Sequence, residues 1–200
     1  MRVQGKGLNV AGAAVSFTFD GQTFEGREGD TWAAALLAND ISVLAYHLPL
    51  DEHPELGNNA QLALELGLQV DGPLDAFESG AIGLVGHLPE AQTGEALAHR
   101  ITQQLGREVL HVPAAREIKR LAWCTGGGQG YIEAAVSAGV DAFITGEVSE
   151  QTVHVARECG LHFYAAGHHA TERYGARAMA AYLAGQFGLD CEFIDIPNPA

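Results

Sequence analysis

In the C-terminal part of the chain, short apolar runs alternate with stretches whose apolar residues recur at helical spacing. The apolar runs at residues 118–124, 141–145 and 161–166 predict buried strands, and the stretches that follow them predict amphipathic helices. A last apolar run at residues 191–196 predicts one further strand. Alternation of strands and helices through short connections is typical of a parallel sheet with right-handed crossovers.

The middle of the chain follows the same pattern less regularly. Strands are predicted at residues 42–48, 82–88 and 107–112, and a helix between the first two ends at Gly67. Residues 71–81 have the composition of a linker or surface loop. We therefore expect an α/β protein with two α/β domains whose sheets are largely parallel.

The expected domain organisation has three parts. Residues 36–71 and 117–200 form one α/β domain that carries the candidate site, and residues 72–116 form a smaller α/β domain inserted into it. The first 35 residues differ from both, because apolar and polar side chains alternate on either side of an Asp-Gly pair. This pattern predicts a β-hairpin, after which Asp30 is placed to cap a helix.

Charge and cysteine content narrow the classes of function. The chain has 11 lysine and arginine residues against 25 acidic residues, and its formal net charge is −14. Because an acidic surface repels phosphate, we expect no nucleic-acid binding through a basic face. Cys124, Cys159 and Cys191 form no CxxC pair, which argues against a disulfide framework, a zinc knuckle and an iron–sulfur cluster.

The sequence contains no segment that predicts membrane insertion or export. No apolar run approaches the roughly 18 residues that a membrane span requires. The start, MRVQGKGLNVAG, lacks the apolar stretch of a signal peptide. We therefore expect a cytoplasmic protein.

Four polar motifs follow predicted strands at the point where each strand ends. HLPLDEHPE follows the strand at residues 42–48, and TGGGQ, TGEVSE and GHHATE follow those at 118–124, 141–145 and 161–166. Ligands bind at the carboxyl ends of parallel strands, because loops and helix N-termini meet there. We expect these four motifs to build one site.

Three residues in these motifs are candidate ligands for a divalent metal. His168 and Glu172 are four residues apart, a spacing that places both side chains on one side of a helical turn, and Asp51 supplies a third donor. One nitrogen and two carboxylates suit Zn²⁺, Mn²⁺ or Fe²⁺. The alternative for an isolated HxxxE pair is a surface capping pair, but the position at a strand end favours the metal site.

His47 and Glu147 are weaker candidates for catalytic roles. Glu147 is placed where a general base would reach water activated by a metal, and its alternative is a carboxylate favoured by a helix N-terminus. His47, at the end of an apolar run, fits a packed core histidine equally well. The TGGGQ loop either cradles a phosphate or forms only a tight turn. Cys124 has no adjacent histidine, so a buried thiol is expected there.

Long stretches of the chain resemble one known family. ALLANDISVLAYHLPLDEHPELGNNAQLA, CTGGGQGYIEAAVSAGVDAFITGEVSEQTVHVARE, GLHFYAAGHHATERYGARA and FIDIPNPA resemble the YbgI branch of the dinuclear metal centre hexameric proteins, the GTP cyclohydrolase I type 2 homologues. The resemblance covers residues 36–200 and is looser at residues 72–117. It implies a two-domain α/β fold, a toroidal homohexamer and two divalent metal ions that face an internal cavity.

The same resemblance implies a role for each candidate ligand. Asp51 matches the family's bridging aspartate, and His168 and Glu172 match its C-terminal ligands. The family also has a pair of histidine ligands in an N-terminal strand, whereas this chain has no histidine before His47. Because two neighbouring cations need about five protein donors, the three donors that remain predict an incomplete site that holds one ion weakly.

Residues 2–39 resemble a different protein, the start of the sarcosine oxidase α subunit, through RVQGKGL, VSFTFDGQTFEGREGDT and ALLAN. We therefore expect a chimera, in which a β-hairpin and a helix replace the N-terminal part of the first domain. A native but divergent N-terminus is the competing interpretation.

The family resemblance implies a metal-dependent, cyclohydrolase-like hydrolase that acts on an unidentified small molecule. One alternative is a non-catalytic assembly or binding module that has lost the metal centre. Another is a fragment of an oxidoreductase subunit, which residues 2–39 suggest and which would carry a flavin or an iron–sulfur group.

Overall fold

A computed structural model describes residues 12–74 and 82–199, so part of the predicted linker at 71–81 lies outside the described residues. The chain divides between residues 46 and 47 into two units, and each is described by itself. Within the described ranges, no helix has the length and apolar character needed to cross a bilayer.

The first unit begins with the predicted β-hairpin. Strand β1 (Ala14–Phe19) pairs antiparallel with strand β2 (Gln22–Arg27). Asp20 and Gly21 connect them with φ values of +49° and +68°, as a two-residue turn of type I′ requires. The hairpin prediction is confirmed.

A short helix, α1 (Trp32–Leu37), follows the hairpin. Thr31 caps this helix, because its Oγ1 atom accepts a hydrogen bond from the Ala34 N–H at 3.2 Å. The expectation that Asp30 is the cap is wrong by one residue. The Asp30 carboxylate instead accepts the Arg27 N–H at 2.7 Å and closes the turn before the helix.

The second unit is built on one six-stranded sheet with helices on both faces. Its elements in chain order are α2 (Leu48–Glu52), α3 (Asn58–Leu66), β3 (Gln69–Pro73), β4 (Leu84–Gln92), α4 (Gly94–Leu105), β5 (Leu110–Val112), β6 (Ile118–Cys124), a 3₁₀ turn (Gly128–Tyr131), α5 (Ile132–Ser137), β7 (Ala142–Thr145), α6 (Glu150–Cys159), β8 (His162–Ala165), α7 (His168–Glu172) and α8 (Tyr174–Phe187).

The strand order in this sheet is β3-β4-β6-β7-β8-β5. Strands β6, β7 and β8 are parallel and are joined by crossovers through α5 and α6, whereas β3, β4 and β5 pair antiparallel with their neighbours. The predicted α/β class is confirmed, with a mixed sheet whose middle is parallel. Strands β4 and β5 fall within the segment 72–116 and lie in this same sheet; the predicted domain boundaries stay predictions.

The hydrophobic core lies on both faces of the sheet, because side chains alternate along each strand. In β6, Leu121 and Trp123 pack against α3 and α4, and Ala122 and Cys124 pack against α5 and α6. The Trp123 side chain is fully buried, and its Nε1–H donates to the Asn59 carbonyl at 2.9 Å. This bond fixes the start of α3 to the end of the strand that precedes the TGGGQ segment at residues 125–129, called the glycine loop below.

Two predicted strands are wrong. Residues 42–46 have no regular structure and the chain turns into helix α2 at Leu48, because Pro49 fits the first turn of a helix and has no N–H for a strand ladder. Residues 191–196 form no strand either. A strand needs a neighbour, and the sheet ends at β3 and β5 without pairing to this segment.

Candidate metal centre

Three parallel strands end at one edge of the sheet, and the polar motifs that follow them meet there. The glycine loop follows β6, Glu147 follows β7, and helix α7 begins at His168 just after β8. Parallel strands bring their carboxyl ends to the same edge, so these three motifs lie together as expected. The fourth motif, HLPLDEHPE, does not follow a strand, because Asp51 lies on the short helix α2.

Asp51 is a buried carboxylate, with 5% of its side chain exposed. Asn58 Nδ2 donates to Asp51 Oδ1 at 2.7 Å, and Asn58 Oδ1 accepts the Gly175 N–H at 2.8 Å. Asn59 Nδ2 donates to the backbone carbonyl of Asp51 at 3.3 Å. A buried carboxylate needs hydrogen bonds or a positive charge to offset its lost hydration. The asparagines supply part of this compensation and fix Asp51 in place.

His47 lies one helical turn before Asp51. Its Nε2 atom is 3.8 Å from Asp51 Oδ2, and 80% of its side chain is exposed, which does not support the interpretation of a packed core histidine. One ligand atom from each of His47, Asp51 and Glu172 lies within 4.8 Å of the others. These three residues therefore form a group that can hold a metal ion.

His168 and Glu172 are one turn apart on helix α7. His168 Nε2 lies 3.0 Å from Glu172 Oε2, so the imidazole and the carboxylate share one side of the helix, as their spacing predicts. Glu172 thus connects His168 to the group that contains Asp51. The assignment of Asp51, His168 and Glu172 as the ligand set stays a prediction.

Glu147 contacts the other nitrogen of the His168 ring. His168 Nδ1 lies 2.6 Å from Glu147 Oε1, and Gln129 Nε2 donates to Glu147 Oε2 at 3.1 Å. Both carboxylate oxygens of Glu147 therefore have partners within the protein. The role of Glu147 in catalysis stays a prediction.

The glycine loop packs directly against these side chains. Gly126 has a φ of +65°, and a Cβ atom at this position would overlap the Glu172 carboxylate. Its N–H donates to Thr171 Oγ1 at 2.9 Å and its carbonyl accepts the Gly146 N–H at 2.9 Å. Because both backbone groups are already paired, the geometry at Gly126 favours the tight turn over the phosphate cradle.

The charges in the site shift pKa values in opposite directions. Burial is the largest cause of the raised pKa of Glu172; His168 lowers this pKa and the nearby Asp51 raises it again. The hydrogen bond to His168 lowers the pKa of Glu147, and the same bond raises the pKa of His168. A bound cation would favour the charged form of Glu172, which burial and a second carboxylate disfavour.

Cys124 lies at the end of β6 as a buried thiol, as predicted. Burial raises the pKa of this thiol to about 12, with further contributions from the carboxylates of Asp51 and Glu172. Because the thiolate is the nucleophilic form of cysteine, this side chain is unreactive at neutral pH.

The types of donor atom indicate which metal ions the site can bind. Carboxylate oxygens of Asp51 and Glu172 lie together with an imidazole nitrogen of His47, and Nε2 of His168 contacts Glu172 at the side of this group. This mixture of oxygen and nitrogen donors fits Zn²⁺, Mn²⁺ or Fe²⁺. The fold and these donors define an α/β protein with a candidate divalent-metal centre at the carboxyl edge of its sheet.

The sequence model of the Duf34/NIF3 (NGG1p interacting factor 3) family matches residues 19–199. The chain belongs to this family, and its resemblance to the YbgI branch is confirmed. The match begins inside the hairpin segment, and a foreign origin of residues 1–35 stays a prediction.

Curated relatives and solved structures agree with this placement. The GTP cyclohydrolase 1 type 2 homologs of Pseudomonas aeruginosa and Escherichia coli K12 are 59% identical over 165 residues and 56% identical over 167 residues. Each alignment covers 82% of this chain and 66% of the relative, so the chain spans about 66% of the length of these relatives.

Among solved structures, protein ybgI is similar with a TM-score of 0.77 and 50% identity, over 88% of this chain and 73% of that one. TTHA1606 from Thermus thermophilus has a TM-score of 0.71 and 34% identity, over 83% of this chain and 65% of that chain.

Two residues of the site, Gln129 and Asn58, were missed at the level of sequence, and a third, His47, was given too little weight. His47 belongs with Asp51 and Glu172, and the four-residue spacing in HLPLD would have indicated this if residues 48–52 had been predicted as a helix. Gln129 and Asn58 act through hydrogen bonds to Glu147 and Asp51. No sequence motif that we recognise signals either amide.

Proposed function

We propose that this protein is a divalent-metal-dependent hydrolase of the cyclohydrolase-like type, acting on a small molecule in the cytoplasm. The observation that carries the proposal is that a buried carboxylate, Asp51, lies close to Glu172 and His47, and that Glu172 in turn contacts Nε2 of His168 at 3.0 Å. These side chains lie at the edge of the sheet where ligands bind in α/β proteins. The name of the relatives, GTP cyclohydrolase 1 type 2 homolog, supports the same reaction class.

In this proposal Asp51, His168 and Glu172 hold the ion, and His47 lies within reach of it. A divalent ion held there would supply Lewis-acid chemistry, which would polarise a substrate and activate water for attack on an electrophilic carbon. Glu172 needs its charge stabilised, and Asp51 is already fixed by Asn58. The carboxylate oxygens and imidazole nitrogen of this set favour Zn²⁺, Mn²⁺ or Fe²⁺ over a metal ion that prefers sulfur ligands.

Two residues near the proposed ion, His47 and Glu147, are candidates for carrying a proton during the reaction. His47 is exposed to solvent, and its Nε2 atom lies 3.8 Å from Asp51 Oδ2, beside the proposed ion. Glu147 has both oxygens engaged by His168 and Gln129, which makes it a poorer general base than its position in the sequence suggests. We therefore assign the proton-carrier role to His47.

We further propose that one ion binds per chain, so that the dinuclear centre of the family is incomplete here. No histidine precedes His47 in the sequence, and the family's paired-histidine motif therefore has no counterpart in it. The remaining oxygen and nitrogen donors suffice for one ion with open positions, which hydrolytic sites require.

Metal content of the purified chain tests this proposal. After loading with Zn²⁺ and removal of the excess, elemental analysis is expected to give about one ion per chain. The variants His168→Ala and Asp51→Asn are expected to lose most of it, and His99→Ala, an exposed change on α4, is the matched control. Two ions per chain would contradict the one-ion claim, and a chain without Zn²⁺ would contradict the metal site.

A second candidate function is a binding module that assembles with copies of itself and carries out no chemistry. Large apolar side chains are exposed along α8 and the segment after it, including Phe187, Leu189, Ile194 and Ile196. Such a surface is typical of an interface. The homohexamer implied by the family predicts a mass six times that of the chain in light scattering. The mass of a monomer would contradict self-assembly.

The interpretation as a fragment of an oxidoreductase subunit stays a prediction. A colourless purified protein would contradict it.

A further inference from the structure

The proposed ligand set leaves the contact between Glu147 and His168 without a role. We infer that Glu147, itself held by Gln129, is a positioning residue that makes Nε2 of His168 the metal-binding nitrogen. This inference rests on the proposed metal site, because it concerns the histidine that is proposed as a ligand there.

The two nitrogens of His168 face different carboxylates. Nδ1 is 2.6 Å from Glu147 Oε1, and Nε2 is 3.0 Å from Glu172 Oε2. A neutral imidazole carries a single proton, and a carboxylate can only accept. With that proton on Nδ1, the ring donates to Glu147 and turns the lone pair of Nε2 toward Glu172, the residue grouped with Asp51.

Gln129 determines how the Glu147 carboxylate is held. Gln129 Nε2 donates to Glu147 Oε2 at 3.1 Å, which is the only orientation of the amide that suits an ionised carboxylate. In this orientation Gln129 Oε1 is buried and lacks a hydrogen-bond partner within residues 12–74 and 82–199. Burying an unpaired carbonyl is unfavourable. The bond to Glu147 is therefore what sets the direction of this amide.

The arrangement matches what a metal-binding histidine needs. A carboxylate that accepts the N–H of the nitrogen away from the metal fixes the tautomer and the ring orientation and increases the basicity of the ligand nitrogen. Glu147 touches neither Asp51 nor Glu172 in the hydrogen bonds described above, so its effect on the site passes through His168. Losing such a partner lowers metal affinity about 10- to 100-fold.

The variant Glu147→Gln is expected to move the ring proton of His168 from Nδ1 to Nε2. If Gln129 keeps donating to the oxygen of the new amide, the amide NH₂ group faces His168 Nδ1 and donates to it. The ring proton then resides on Nε2, where it competes with the metal. The side chains of His168 and Glu147 are 39% and 44% exposed, so the unfolding midpoint of the metal-free variant should remain near that of the wild type.

The test measures Zn²⁺ affinity by competition with a chromophoric chelator for the wild type, Glu147→Gln, His168→Ala and the control Glu158→Gln, which removes an exposed carboxylate from α6. We expect Glu147→Gln to bind Zn²⁺ about 10- to 100-fold more weakly and Glu158→Gln to bind it like the wild type. Wild-type affinity in Glu147→Gln combined with a loss in His168→Ala would overturn this inference alone. Undiminished affinity in His168→Ala would overturn the proposed ligand set.

A second readout needs no metal. The ¹⁵N chemical shifts of the His168 ring in the metal-free protein, at a pH where the ring is neutral, report which nitrogen carries the proton. We expect the proton on Nδ1 in the wild type and on Nε2 in Glu147→Gln. A wild-type ring protonated on Nε2 would overturn the inference even if Glu147→Gln weakened Zn²⁺ binding, because the loss would then have another cause.

Discussion

Gly126 lies against the carboxylate of Glu172, so close that a Cβ atom on Gly126 would overlap Glu172 Oε1. The left-handed backbone of Gly126, with φ of +65°, turns the chain away from β6 immediately before the site. The glycine loop and the proposed ligand therefore depend on each other for their positions, and this dependence can be tested by substitution.

Replacing Gly126 with alanine should damage both stability and metal binding. The new methyl group meets Glu172, and alanine is strained at a positive φ, so we expect a loss of about 2–4 kcal/mol in the free energy of unfolding. Urea denaturation measures this loss, and Zn²⁺ affinity should fall with it. Gly130→Ala is the matched control, because a Cβ atom there meets no atom within 4 Å. Equal stability of the two variants would contradict the packing described for Gly126.

Asn58 should contribute more to stability than a surface amide does. Its side chain donates to Asp51 and accepts from Gly175, so Asn58→Ala leaves a buried carboxylate and a buried N–H without these partners. We expect a loss of about 2–4 kcal/mol in urea denaturation of the metal-free protein. Gln103→Ala, on the exposed side of α4, should change stability by less than about 0.5 kcal/mol. A similarly small effect at Asn58 would show that these bonds do not stabilise the fold.

The three cysteines should react with thiol reagents at different rates. Cys159 is exposed, Cys191 is partly exposed, and Cys124 is buried with a thiol pKa of about 12. Ellman's reagent should label Cys159 first and Cys191 more slowly, and should reach Cys124 only after unfolding in urea. The variant Cys124→Ala should keep the fast labelling of the native protein. Fast labelling that disappears in Cys124→Ala would contradict the burial of this thiol.

The contribution of His111 to stability should fall on mild acidification, whereas His168, whose pKa is raised, contributes in the opposite direction. Burial lowers the pKa of His111, and the neighbouring His162 lowers it further, while Glu95 opposes them. The unfolded chain, with an ordinary histidine pKa of about 6.5, then binds a proton more readily than the folded chain does. This contribution is complete above about pH 6.5 and is lost as the pH falls through and below that value.

The variant His111→Phe isolates this effect. The His111 ring stacks on Tyr164 with centroids 4.5 Å apart, and phenylalanine can preserve that contact. The urea midpoint measured below about pH 6.5, relative to the midpoint measured above it, should be higher in His111→Phe than in the wild type. His99→Gln, an exposed histidine change on α4, should keep the wild-type difference. An equally large pH effect in His111→Phe would assign the acid sensitivity to other groups.

The parallel centre of the fold was predictable from the sequence because its signals are local. The apolar runs of β6, β7 and β8 are each followed by a polar motif and a helix, and Ser149 caps α6 as its sequence position suggests. Their common direction places Glu147, His168 and the glycine loop at one edge. These parts of the site follow from strand periodicity and helix signals alone.

The segment around His47 was not predictable in the same way. In a strand, residues four apart are separated by about 13 Å, whereas in a helix they are neighbours. Interpreting residues 42–48 as a strand therefore separated His47 from Asp51, although Pro49 fits a helix start equally well. The roles of the Asn58 and Gln129 amides depend on tertiary contacts with Gly175 and Glu147, which lie in other segments of the chain. No local sequence pattern encodes such contacts.

The most direct test of the metal centre is the location of a bound ion in crystals of the protein loaded with Zn²⁺. An anomalous difference map recorded at the zinc absorption edge is expected to show a peak about 2.0–2.2 Å from a nitrogen of His168 and from oxygens of Asp51 and Glu172. A zinc peak elsewhere on the chain, with these three side chains uncoordinated, would contradict the account.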